Sequence, residues 1–301
     1  MKNSLYLWSI LVAAILGGCG SDPSSSASPA PTSSKVLHVA LAPSEDAEKM
    51  VAGFEPIRVQ LAKDLGMAVT VDKVTDYASV IEAQKAGKVD LAWYGPLSLV
   101  LANQEAGVTP IIVGVEAGGN ATYHSVFVVP SASTAKTIAD LKGKKVAFVD
   151  PGSTSGNLVP RSALMKLANA KAEDFFGNLS YAGSHDAALL SLMNGNVEAC
   201  AIEDITYDAK VKSKELDPKK FRILWTSDPI PQSPFGVRKG LDPALTAKIV
   251  DSFTSMSTKN VKMDMPGVGN FANFAKADLT LYAPIAEMAK TLGLTKKDIV
   301  K

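Results

Sequence analysis

Cysteine is nearly absent from this 301-residue sequence, with Cys19 and Cys200 the only two. One thiol near the N-terminus and one far into the chain give no disulfide framework. No CxxC, HExxH or clustered His/Cys spacing occurs, so no pattern for a metal site is present. No metal and no other cofactor is expected. The GxxxxGK[ST] run of a nucleotide P-loop is missing, and so is the GxSxG of a nucleophile elbow. An excess of charge of one sign is also lacking. Lys plus Arg total 31 against 30 Asp plus Glu, and Lys2 is the only charged side chain before Cys19, so the chain from Cys19 onward carries 30 of each. Such balance gives no whole-molecule attraction for nucleic acid. What remains is ordinary globular composition, 47% hydrophobic and 20% charged. The length is near that at which a chain divides into lobes of roughly 100–150 residues.

The first 34 residues read as export and tethering rather than fold. Lys2 supplies a positive start, and Leu5 to Leu16 form an apolar run of about twelve residues, short of the roughly 20 needed to span a bilayer. Leu16-Gly17-Gly18-Cys19 follows. It resembles the bacterial lipobox, which implies a signal peptide over 1–18 and a lipidated Cys19. A plain secretory peptide with an incidental cysteine is the alternative. Residues 19–34 are rich in Ser, Pro and Ala; they bury little and read as a flexible tether. Beyond the signal no long uncharged apolar stretch occurs, so contact with the membrane is expected through the anchor alone. The chain is expected in the cell envelope, facing the periplasm or the cell exterior.

From Val36 onward the pattern is α/β. Short apolar runs at 36–41, 69–74, 89–93, 109–115 and 125–129 alternate with helical stretches. The first helix carries Met50, Phe54, Ile57 and Leu61 as one stripe. The alternation predicts a mostly parallel sheet covered by helices. A second unit adds strands at 146–149, 178–181, 197–202 and 221–225, with helices at 158–167, 185–193 and 205–211. Beyond Pro234 mainly helices are predicted: 243–256, 270–274 and 281–292. The expected division is lobe 1 over 35–120 and 230–301, and lobe 2 over 121–229. Two tandem, uninterrupted domains are the alternative. Cys200 sits among Val197, Ala199, Ala201 and Ile202, as a buried strand thiol or, less simply, a reactive one.

Several segments line up with a known family. They are Leu41-Ala42-Pro43-Ser44, Thr75-Asp76-Tyr77, Asp90-Leu91-Ala92-Trp93-Tyr94-Gly95-Pro96, Tyr123-His124-Ser125, Asp150-Pro151-Gly152-Ser153-Thr154-Ser155-Gly156-Asn157 with Pro160, and Gly183-Ser184-His185. In this order the chain resembles the phosphonate and phosphite substrate-binding proteins of ABC importers, within the type II periplasmic-binding-protein superfamily. The resemblance implies a two-lobed fold with a ligand cleft, no enzymatic activity, a permease and ATPase complex as partner, and a monomer. It implies that Ser153, Thr154 and Ser155 grip phosphoryl oxygens, that Tyr77 and Tyr123 add phenolic donors, and that His185 closes the cage.

Each residue also has a reading of its own. Ser153-Thr154-Ser155-Gly156 follows a strand and precedes a helix, where free backbone N–H groups and hydroxyls suit a tetrahedral oxyanion. The same residues serve equally as a helix cap. His185 at a helix start is either a donor to an anion or a cap or surface residue. Trp93 and Tyr94 lie just past a strand's C-terminal end, where ligands of such sheets bind, yet either suits a core. Asp204 could accept from a protonated ligand oxygen or cap its helix. Aminoalkylphosphonate binders of the family carry an acid after the last lobe-2 strand. Here that stretch is Ile230-Pro231-Gln232-Ser233-Pro234, and the position falls on Ser233. With Trp93 shortening the pocket, phosphite is the expected ligand, with methylphosphonate or hypophosphite next. Two other readings compete. One is a hydrolase using Ser153 or Ser155 with His185 and Asp204. The other is a lipoprotein that presents the same oxyanion to a sensor.

Overall fold

The structure is a computed structural model and describes residues 36–265 and 268–299. The signal peptide, Cys19 and the tether lie outside the described residues. The chain begins with β1 (Val36–Leu41), α1 (Ala47–Leu65), β2 (Ala68–Asp72), α2 (Tyr77–Lys85), β3 (Leu91–Trp93), α3 (Pro96–Ala106) and β4 (Thr109–Glu116). A short β5 (Thr122–Tyr123) leads into β6 (Ser125–Pro130), β7 (Lys145–Phe148), α4 (Val159–Ala168), α5 (Ala172–Phe175) and β8 (Asn178–Tyr181). Then come α6 (His185–Met193), β9 (Ala199–Glu203), α7 (Asp204–Lys212), β10 (Phe221–Thr226) and β11 (Ile230–Pro231). The chain returns through β12 (Pro234–Val237), α8 (Pro243–Thr254), β13 (Asp264–Met265), β14 (Gly269–Lys276) and α9 (Ala283–Thr291).

Two sheets result, one per lobe. The first has the order β13-β14-β4-β12-β3-β1-β2, the second β10-β6-β9-β7-β8, and β5 pairs with β11 between them. Both sheets are mixed, which corrects the expectation of mostly parallel ones. In the first, β1 is parallel to β2 and β3, while β12 runs against β3 and β4. In the second, β7 is parallel to β8 and β9, while β6 runs against β9. The crossings explain the reversals. The strand that enters each lobe from the cleft, β6 or β12, must run against strands whose C-terminal ends point into the cleft.

Local physics sets the elements. In α1 the buried side chains are Met50, Phe54, Ile57 and Leu61, Asp46 caps the start by accepting from Lys49 N, and Gly66 ends the helix at φ 63°. The predicted helix over 270–274 is instead part of β14. Phe271 and Phe274 are both buried, and their i, i+3 spacing imitates a helix. A register shift between Phe271 and Asn273 against β4 lets both rings face the core. Phe274 there meets Phe235 and Phe253. Lobe 2 builds its own aromatic core from Phe127, Phe148 and Phe176. Leu158 and Val159, at the start of a lobe-2 helix, belong to the lobe-1 core cluster, so the lobes are closed on each other.

Candidate functional site

The site lies where strand ends of both lobes meet. On the lobe-2 side, the loop after β7 leads into a helix that starts earlier than predicted. Thr154–Leu158 form one wide π-type turn ahead of α4. Leu158 N donates to Ser153 O at 3.1 Å, and Ser153 Oγ accepts from Gly156 N at 3.0 Å. Pro160 has no N–H, so Ser155 O gains no helical donor from it. The Ser125 hydroxyl donates to that carbonyl at 2.6 Å. Gly156 O accepts from Val149 N at 3.1 Å. A Cβ at Gly156 would fall 2.3 Å from Val149 Cγ2, so only glycine lets the turn approach β7 this closely. Asn157 holds the loop from behind, donating to Pro151 O at 2.7 Å and accepting from Arg161 Nε at 2.7 Å. The turn thereby presents Ser153, Thr154 and Ser155, all buried, at a helix start whose first amides lack helical acceptors.

On the lobe-1 side, Tyr77 is the first residue of α2. A reciprocal cap fixes it: Ser79 N donates to Asp76 Oδ1 at 2.7 Å, and Asp76 N donates to Ser79 Oγ at 3.1 Å. The Tyr77 hydroxyl meets the Ser153 side chain, and the Tyr123 hydroxyl meets Ser155 and Thr154. Burial above all, then the nearby Glu203 carboxyl, pushes both phenols up, so both are neutral donors. Two contacts seal the cleft here. Leu97 N, in the first turn of α3, donates to Thr154 Oγ1 at 2.8 Å. Gly152 packs so tightly that a Cβ there would lie 2.8 Å from Tyr77 Cβ.

His185 opens α6, and its N–H donates across the cleft to Ser44 O at 2.8 Å. Its Nδ1 accepts from Glu203 N at 3.1 Å, so the ring hydrogen resides on Nε2. Nε2 is 3.8 Å from Glu203 Oε2, too far for a hydrogen bond. Burial pushes the ring down to about 3. The pair is therefore no ion pair, and His185 is a neutral N–H donor.

Six of the residues singled out in the sequence thus converge: Tyr77, Tyr123, Ser153, Thr154, Ser155 and His185. Trp93 is buried at the end of β3, and its Nε1 has no protein acceptor, a feature shared among the described residues only with Gln232 Nε2. Tyr94 is a correction. It points into the lobe-1 interior, where its hydroxyl donates to Gln84 Oε1 at 2.9 Å, because neighbours on a strand face opposite ways. Asp204 has a partner of its own. Its carboxylate accepts from His124 N at 2.9 Å and pairs with His124 Nδ1 at 2.9 Å, and it also lies near enough to Tyr123 to act on that phenol. The acid that faces the phenols is Glu203, one residue earlier and buried. The sequence does carry its signal: Glu203 ends an apolar strand just before a helix, and a shift of one residue changes the face. Cys200 is buried in β9, and burial pushes its thiol up, which makes it inert.

Two α/β lobes joined by a double crossing, with a donor-lined cleft between the strand ends, define a type II periplasmic-binding-protein architecture. Residues 39–282 match the family described as "ABC transporter, phosphonate, periplasmic substrate-binding protein", and the chain belongs to that family. It is 31% identical over 251 residues to the phosphate-import protein PhnD of Mycolicibacterium smegmatis, covering 80% of this chain and 78% of that protein. It is 29% identical over 260 residues to the phosphonates-binding periplasmic protein of Escherichia coli, covering 85% and 76%. The structure of PhnD1 from Prochlorococcus marinus in complex with methylphosphonate superposes with a TM-score of 0.75 at 22% identity, covering 86% of this chain and 98% of that one. The chain is accordingly a substrate-binding component of an ABC transporter for phosphorus oxyanions, a periplasmic binding protein rather than an enzyme.

Proposed function

We propose that this protein captures phosphite or a small non-amino phosphonate such as methylphosphonate, with hypophosphite also within reach, and delivers it to its permease and ATPase as a lipid-anchored monomer. One observation carries the reading. The converging polar groups of Tyr77, Tyr123, Ser153, Thr154, Ser155 and His185 are neutral donors drawn from both lobes, with no Lys or Arg in the loop 150–157. Neutral donors in a dry cleft bind an acceptor-rich anion by directed hydrogen bonds, each strengthened by exclusion of water. The small cross-lobe gap at Gly152 and Tyr77 leaves little space for a long substituent. Cys19 as the anchored residue and 19–34 as the tether complete the proposal. Lobe 1 over 35–120 and 230–301 and lobe 2 over 121–229 would move about the two crossings.

Glu203 favours a second reading. A buried carboxyl beside the phenols can receive the ammonium of an aminoalkylphosphonate, even with Ser233 at the usual acidic position. Titration calorimetry with phosphite, methylphosphonate, 2-aminoethylphosphonate, phosphate and sulfate separates the two. Selective phosphite or methylphosphonate binding that weakens in Ser155→Ala supports the first reading. Preference for the amino compound selects the second, and silence toward the whole panel overturns both.

A further inference from the structure

Behind the donor cluster lies a polar group that the binding of an anion does not explain. Glu45 follows β1 in lobe 1. Thr206, on α7 in lobe 2, brings its hydroxyl within hydrogen-bond reach of Glu45 Oε1 and stands 3.3 Å from Glu203 Oε1. All three side chains are buried. A hydroxyl has one hydrogen. Three oxygens in a row need two, so the second must come from a carboxyl. If both carboxyls were ionised, the row would hold two buried negative charges and one hydrogen. The row spans the lobes, as does the neighbouring bond from His185 N to Ser44 O, and parting the lobes dismantles it.

We propose that Glu45 is a proton-taking latch: closure of the lobes draws one proton onto the Glu45–Thr206–Glu203 row, so that ligand capture is coupled to proton uptake. This rests on the reading that the cleft closes over a phosphorus oxyanion.

The surroundings of Glu45 support retention of the proton. Lys49 stands on α1, which begins just after Glu45, Asp186 on α6, Lys210 on α7 and Glu203 at the end of β9. Lys210 is bound to Glu215 at 2.7 Å, which reduces its value as a counter-charge. The burial of Glu45, more than any neighbour, raises its carboxyl to about 8 in the closed form. With the lobes apart, Glu45 regains water and an ordinary carboxylate value, near 4.5. A group whose value rises on closure favours closure fully below its open-state value. That contribution is lost as pH climbs through the closed-state value. The working window therefore runs from the ordinary carboxylate range up to about 8.

The test is calorimetric titration of the full chain with phosphite at about pH 6 and about pH 8, each in two buffers of different ionisation enthalpy. Wild type is compared with Glu45→Gln, which keeps the neutral hydrogen-bonding shape. The ligand's own protonation is common to both proteins and cancels. At about pH 6 wild type should take up close to one proton more than Glu45→Gln does, and at about pH 8 roughly half a proton more. Between the two pH values the affinity of wild type should fall roughly 50-fold more than that of Glu45→Gln. Equal proton uptake and equal pH slopes would overturn the latch. Infrared difference spectra of wild type on ligand addition guard against poor folding of Glu45→Gln: a new protonated-carboxyl band is expected, and its absence counts against the proposal. If no oxyanion of the panel binds, the ligand reading fails separately. Small-angle scattering of the unliganded chain then decides, with compaction on acidification supporting the latch and an unchanged radius of gyration overturning it.

Discussion

The two ends of the cleft differ in what they can sense. At one end, Tyr77, Tyr123 and Ser153 to Ser155 offer hydroxyls and helix-start amides, with both phenols held neutral by burial. At the other, Glu45 stands close enough to raise the proton affinity of Glu203, and Thr206 bridges the two. In the proposed function the donor end reads charge and shape, and its phenols, raised by burial, keep it insensitive to pH near neutrality. The acid end changes state within the physiological range. His185 joins the two ends, since its backbone N–H donates across the cleft to Ser44 O while its Nδ1 is tied to Glu203 N. Separating recognition from proton sensing lets one closing motion carry both, and each end can be broken without the other.

The sharpest break at the donor end is Tyr77→Phe. It removes one hydroxyl from a site sealed by Gly152 and leaves the capped helix intact. A hydrogen bond to a charged ligand contributes about 1.5–3 kcal/mol, so affinity for the oxyanion should drop roughly 10- to 100-fold. The fall should be the same at every pH between about 6 and 8, because no titrating group is lost. A pH-dependent deficit in calorimetry would merge the two ends into one unit.

A smaller effect is expected from Gly156→Ala, which tests the support of the donor end instead of its contacts. The added methyl would meet Val149 at 2.3 Å and force the wide turn off β7. Overpacking of this kind costs about 1–3 kcal/mol, measurable as a shifted denaturant midpoint with unchanged slope. If stability holds and only binding falls, the turn is more pliable than its hydrogen bonds to Ser125 and Val149 imply.

The two ends also differ in how far the sequence discloses them. The donor end is legible because Ser153-Thr154-Ser155-Gly156 joins a strand to a helix, a local arrangement that a linear pattern records. The acid end is not, because Glu45 and Thr206 are separated by 161 positions and meet only when the lobes close. Asp204 and Glu203 differ by one position, and strand alternation turns one position into the opposite face. The fold shows the same limits. Element order and the stripe of α1 follow from periodicity, but strand direction leaves no mark on a single sequence. Phe271 and Phe274 imitate a helix because a bulge gives a strand helical spacing.

Asp204→Asn is the smallest and most discriminating change, since it acts one residue from the acid end without entering it. Asp204 is bound to His124, and both side chains are partly exposed, at 25% and 32%. A pair with that much water around it contributes about 1 kcal/mol or less, and Asn retains an oxygen that can accept from His124 N. Thermal or denaturant unfolding should therefore change little. Oxyanion affinity should stay within about threefold of wild type, a difference below 1 kcal/mol. Glu203→Gln, by contrast, should alter proton uptake on binding, because it replaces a member of the cross-lobe row. Were Asp204→Asn to abolish binding while Glu203→Gln left proton uptake untouched, the acid of the cleft would be Asp204. The rotation of His124 and Asp204 toward the ligand would then be a motion of the open form.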